Sequence, residues 1–146
     1  MRHSMLTRAG VAAVAAMAAL TITVTAQQAA QALGTVRLPR AVVANGDPLP
    51  AGTYTLRLSS DPVTAVSGQG PDAAKWVEFV QGGQVKGKEL ASVVAPADVK
   101  VVAKRTPPAD GHPLVQMLRG ADYLRVWVGH GGSQYLIHLS LSPATK

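Results

Sequence analysis

Beyond residue 32 the chain carries three histidines, His112, His130 and His138, and eight carboxylates, Asp47, Asp61, Asp72, Glu78, Glu89, Asp98, Asp110 and Asp122. These are the side chains able to move protons or hold a metal. Imidazoles share a cation when they sit one helical turn apart or a few residues apart in a knuckle. No two of these histidines have that spacing: His130 falls in a glycine turn and His138 inside an apolar run. Most of the carboxylates sit at expected turns, where aspartate favours the backbone geometry. A glycosidase needs two carboxyls held a fixed distance apart, and the sequence singles out no such pair. There is no cysteine, which excludes thiolate chemistry, disulfides and lipid attachment through a cysteine.

Two glycine-rich stretches invite a catalytic reading. "GHGGS", Gly129 to Ser133, is similar to the histidine–glycine oxyanion loop of esterases. That loop works with a nucleophile on a Gly-x-Ser-x-Gly elbow in an alternating strand–helix fold, and the chain has neither. A hairpin turn is the better reading. "GQGPDAA", Gly68 to Ala74, lacks the flanking strand and helix of a phosphate-binding loop. No residue is therefore assigned a catalytic, cofactor-binding or metal-binding role.

The remaining chemistry lies in "YLRVWVGHGGSQYLIHL", Tyr123 to Leu139. A two-residue turn at Gly131-Gly132, where positive φ is cheap, fixes the register of a hairpin. Val128 then meets Tyr135, Val126 meets Ile137 and Leu124 meets Leu139, all on one apolar face. The other face pairs Trp127 with Leu136, Arg125 with His138 and Tyr123 with Ser140. A slip of one residue destroys this sorting, so the register is well specified. Tyr123, Arg125, Trp127 and His138 are the candidate binding surface, since Tyr, Trp and Arg are favoured at interfaces and aromatic faces stack on sugars or peptides. The alternative is that a neighbouring loop covers this face, the Ser60–Ala74 loop being one candidate, with Arg125 stacked on Trp127 as a structural cation–π pair.

The rest of the chain predicts a β-rich scaffold for that hairpin. Period-two segments punctuated by glycine and proline recur: Thr35 to Val43 with Pro39 inside it, Thr53 to Ser59, Lys75 to Pro96 turning at Gly82-Gly83, and Asp98 to Arg105. In the Gly82-Gly83 hairpin a two-residue turn sets Val80 against Val85. A three-residue loop instead sets Glu78 against Lys88 and Trp76 against Leu90. Sequence alone leaves both registers open. About seven to eight strands with no crossover helix predict an all-β antiparallel sandwich, or a small, partly open barrel.

Residues 1–32 read as an export signal. Arg2 and Arg8 precede an apolar, alanine-rich run to about Val24. Two small-residue cleavage patterns follow, "VTA" ending at Ala26 and "AQA" ending at Ala32. An uncleaved anchor is the alternative, although the run is short for a span of about 20 residues. Residues 33–146 form one domain's worth of chain. The whole sequence has 14 basic and 8 acidic side chains, a net +6. Without Arg2 and Arg8 the balance is 12 against 8, or +4, scattered rather than blocked. The expected partners are an envelope polysaccharide or another envelope protein, not nucleic acid.

"PLPAGTYTLRL", Pro48 to Leu58, resembles a segment of secreted transthyretin-like, collagen-adhesin-repeat-like and carboxypeptidase-regulatory-like β-sandwiches. There a Leu-Pro-x-Gly-x-Tyr stretch turns into a core strand. The resemblance covers eleven residues and implies a stalk, adhesion or accessory binding module, with no functional residue to carry over. The expected protein is an exported, periplasmic or extracellular, non-catalytic binding or structural module without a cofactor. A small secreted hydrolase or enzyme inhibitor is the competing class.

Overall fold

A computed structural model describes residues 31–64, 67–103, 106–118, 120 and 122–142. The export-signal reading therefore concerns residues almost wholly outside the described chain. Nine strands form one antiparallel sheet. They are β1 (Ala32–Leu38), β2 (Val42–Ala44), β3 (Asp47–Leu49), β4 (Gly52–Leu58), β5 (Ala74–Gln81), β6 (Gln84–Val94), β7 (Leu114–Met117), β8 (Tyr123–His130) and β9 (Ser133–Leu141). A single helical turn, α1 (Val99–Val102), interrupts them. Among the described residues no helix is long and apolar enough to cross a membrane.

Local chemistry sets the strand ends. Pro39 has no N–H to give a ladder, and β1 stops just before it while β2 starts just after. Asn45 and Gly46 both take positive φ, 45° and 89°, the geometry that a tight hairpin between β2 and β3 demands. The next turn is closed by the strand it feeds: the Tyr54 hydroxyl donates to the Pro50 carbonyl at 2.7 Å. Tyr54 then meets Phe79 edge-on, ring centroids 6.2 Å apart. This gives the Leu-Pro-x-Gly-x-Tyr stretch a physical basis, with the ring in the core and its phenol on the turn.

The β5–β6 hairpin uses both registers. Val80 faces Val85 next to the turn, whereas Glu78 faces Lys88 and Trp76 faces Leu90 further on. One bulge between Phe79 and Val80 makes the change, placing an extra residue on β6. Asp98 to Arg105 does not form the expected strand. Its described part bends into α1, with the Ala103 N–H bonded to the Val99 carbonyl at 2.8 Å. Among the described residues no strand pairs with this segment, and Val101 stands 84% exposed.

The strands run in the order β1-β4-β5-β6-β9, and β9 also pairs with β8, which pairs with β7. β9 gives one whole edge to β8. Its other edge is divided: Gln134–Ile137 pair with β6, and Ser140-Leu141 pair with β2. The curled sheet nearly closes on itself. Asp110 bridges Gly129 of β8 and Gly111 bridges Gly34 of β1, so the proline-rich connection before β7 joins the first strand to the eighth. The all-β antiparallel expectation holds: hydrogen bonding runs through one nearly closed sheet, an architecture consistent with a sandwich or a partly open barrel. Leu33, Val36, Leu56, Phe79, Val126 and Ile137 are among the side chains that fill it, each burying enough apolar surface for about 1.5–3 kcal/mol.

The closure depends on Gly34. A Cβ there would lie 2.6 Å from the Gly111 carbonyl oxygen and 2.9 Å from Pro113 Cδ, at a φ of +133°. Gly34→Ala is expected to cost about 2–3 kcal/mol in urea unfolding through overpacking and backbone strain. Gly46→Ala, whose Cβ would meet nothing, keeps only the strain cost and should lose about 1 kcal/mol. Equal losses at the two positions would show that the seam yields.

Candidate functional site

The register of β8–β9 is the one derived from the sequence, pair by pair from Tyr123↔Ser140 to Val128↔Tyr135. Gly131 and Gly132 turn it at φ 60° and 83°. With β7 added, the outer surface becomes a grid of three rows. Leu114, Trp127 and Leu136 form one row, and Gln116, Arg125 and His138 the next. Tyr123 and Ser140 form the third, beside Leu118, whose N–H donates to the Tyr123 carbonyl at 3.0 Å.

Three of the four candidate residues reach solvent on this face. Tyr123 is 49% exposed, His138 is exposed and Arg125 is half-buried. Trp127 corrects the expectation of an outward tryptophan, since it is only 8% exposed. Leu114 and Leu136 flank it across the two neighbouring strands. Its indole N–H donates to Gln134 Oε1 at 2.6 Å, meeting the need of a buried indole for an acceptor. Asp61 of the Ser60–Ala74 loop bonds Lys88 on β6 at 2.6 Å. The Pro108–Asp110 segment lies against β8 at Gly129, two residues along from Trp127. A Cβ on Gly129 would meet Asp110 Oδ1 at 2.9 Å and the Pro108 carbonyl oxygen at 3.1 Å.

Gln134 is the functional-face residue that the sequence reading passed over. It is the buried polar side chain of the described core, and the hairpin register places it diagonally across from Trp127. A tryptophan assigned to a covered face needs an acceptor, and that need pointed to it.

Arg125 Nε donates to His138 Nε2 at 3.1 Å, so the imidazole accepts in its neutral form. Partial burial, and then the neighbouring Arg125 charge, hold the His138 pKa below its ordinary value of 6.5. Arg125 does not lie on Trp127. The cation–π contact among the described residues is Lys88 over Trp76, 4.9 Å from the ring centroid. Lys88 also donates to Asp61, and chiefly that hydrogen bond, with the Lys88 charge, keeps the Asp61 carboxyl below the usual range. Arg57 pairs with Glu78 alongside. These outer charges of β4–β6 are engaged with one another.

The "GHGGS" turn has an internal anion. The Gly131 N–H donates to Asp110 Oδ2 at 3.0 Å, so this amide faces a carboxylate of its own chain. Among the described residues no three His, Asp or Glu side chains converge to hold a metal. An open depression of about 440 Å³ beside the turn is lined by Pro96, Val99, Lys100, Ala103, Pro107 and Gly132. The chain matches no protein-family model, no curated protein and no solved structure.

Two expectations follow from the face. Trp127→Ala should lose about 3 kcal/mol of unfolding free energy, as a buried large-to-small change does, while Tyr123→Ala loses less than about 0.5 kcal/mol. Equal losses in urea titrations would place Trp127 at the surface after all. The lowered His138 pKa means that the unfolded chain binds the proton more readily. The stability it contributes is full above about pH 6.5 and is lost as pH falls through the folded value. The His138 ring protons should titrate below pH 6.5 by NMR and shift upward in Arg125→Gln. An unchanged midpoint in that variant would remove Arg125 as a cause.

Proposed function

We propose that this protein is an exported, non-catalytic binding module whose partner is another protein of the cell envelope. The observation that carries the reading is the flank of β7 and β8. Among the described residues β7 pairs with β8; Leu114 and Tyr123 are exposed on their outer face, and Met117 is exposed at the end of β7. Apolar and aromatic side chains clustered at a strand edge, with Arg125 among them, have the composition of interface centres.

Burial of Trp127 favours a protein partner over a polysaccharide. Sugar stacking uses the open face of an aromatic ring, and the indole of this surface is covered while Tyr123 stands alone. The titratable groups nearby have structural duties: Asp110 holds the turn and His138 accepts from Arg125. That is the arrangement of a scaffold rather than of an acid–base pair.

The test is a capture experiment with the exported protein as bait in envelope extract, alongside sedimentation with insoluble envelope polysaccharide. Tyr123→Ala combined with Leu114→Gln should reduce capture of the protein partner by about 30-fold, the loss of roughly one 2 kcal/mol anchor, at an unchanged melting temperature. Undiminished capture by the double variant, or sedimentation with the polysaccharide alone, overturns the reading.

A further inference from the structure

We propose that Asn45 is a modification site: in the folded protein its side-chain amide is lost spontaneously, through attack of the Gly46 backbone nitrogen on Asn45 Cγ. Asn45 is the single asparagine of the chain, and a glycine follows it. The two residues form the exposed tip of the β2–β3 hairpin. The proposal is independent of the binding role above.

The hairpin supplies what ring closure needs. Ala44 pairs with Asp47 across the two-residue loop, so the ladder does not use the Gly46 N–H. Asn45 is held through its backbone, whose N–H donates to Glu89 Oε2 at 2.6 Å, and its exposed carboxamide is left in water. Gly46 carries no Cβ, and one placed there would meet nothing within 4 Å, so the approach to its nitrogen is open. Asn45 holds a φ of 45°, a left-handed conformation that an L-residue leaves at a gain. β3 stands at the end of the sheet with β2 as its partner, and tips of this kind open at little cost. The carboxamide can therefore swing onto the Gly46 nitrogen without unfolding of the core.

The Gly46 nitrogen gives its proton to water and bonds Asn45 Cγ. The Cγ–Nδ2 bond breaks, and Nδ2 takes up a proton and leaves as ammonia. Water then opens the five-membered imide. Opening at Cγ gives aspartate, whereas opening at the Asn45 backbone carbonyl gives a main chain that runs through Cγ and is longer by an atom. Either product adds a carboxylate beside Glu89, whose Oε2 holds the Asn45 N–H and whose Oε1 holds the Leu90 N–H. The like charges repel, and they do so where the hairpin rests on β6: a Cβ on Gly87 would lie 3.2 Å from Leu49 Cδ2 and 3.5 Å from Ala44 Cβ. Loss of the amide therefore loosens the hairpin from β6 and makes the chain less basic.

The test incubates the purified chain in mildly alkaline buffer, with and without urea, and follows the tryptic peptide Ala41–Arg57 by chromatography and mass spectrometry. Asn45 carries the single side-chain amide of that peptide, and its Asp47 precedes proline, which has no N–H to form an imide. The expected result in native buffer is the amide-to-acid mass gain, resolved into two products of equal mass. A gain confined to the urea sample overturns the proposal. Gly46→Ala should slow the gain several-fold in both solvents, because its Cβ crowds the attacking nitrogen, and an unchanged rate overturns the route through Gly46. Asn45→Asp should melt roughly 3 °C below the parent at neutral pH, and Glu89→Gln should remove most of that difference. Equal melting temperatures for Asn45→Asp and the parent would remove the repulsion from Glu89.

Discussion

The division of one edge of β9 between β6 and β2 is the constraint on which the rest of the sheet depends. β9 is bonded to β8 along its whole length and, on the opposite side, first to β6 and then to β2. Three separate stretches of the chain therefore take their register from a single strand. A side-chain period of two makes any slip of β9 invert its buried and exposed sets. Tyr135, Ile137 and Leu139 would turn outward together, and the ladder positions of β6 and β2 would move with them. The Gly131-Gly132 turn supplies the local backbone term and the apolar sorting supplies the packing term. Both specify the same register, which is the consistency a folding sequence needs.

The C-terminal hairpin was legible in the sequence because these two signals coincide. Thr35 to Val43, expected as one strand with Pro39 inside it, divides instead into β1 and β2 about Pro39. The β5–β6 hairpin was only half legible. Its turn favours one pairing and its Glu78–Lys88 match favours another, and a bulge lets both stand, which no single alternation pattern expresses. Val99 to Val102 misled because alternating valines state a preference for a strand but supply no neighbour to pair with. For Trp127 the sequence left two outcomes open, exposed or covered, and the covered one holds. Alternation correctly put it on the outer face, and the Pro108–Asp110 segment lies against β8 two residues along, at Gly129, through a contact between residues distant in the chain.

The outer surface divides by how its polar groups are employed. Over β4 to β6 the charges settle one another: Arg57 with Glu78, and Lys88 with Asp61 while lying over Trp76. Exposed pairs of this kind contribute little stability individually, but they leave a surface with few unmatched groups. Over β7 to β9 the polar contacts are fewer and the apolar exposure larger, from Leu114 to Tyr123. A partner desolvating the second region displaces water from apolar atoms, whereas one settling on the first must disturb matched ions.

The bridge from Gly34 to Gly111 has a kinetic meaning as well as a geometric one. It joins two glycines, so no side chains interlock across it, and it links the first strand to a connection far along the chain. Contacts between such distant residues carry the largest loop-closure entropy and form only after nearer pairings have shortened the path between them. The meander from β4 to β6 and the C-terminal ribbon each pair neighbouring sequence, whereas this bridge and the Val42–Leu141 pairing of β2 with β9 join residues far apart in the chain.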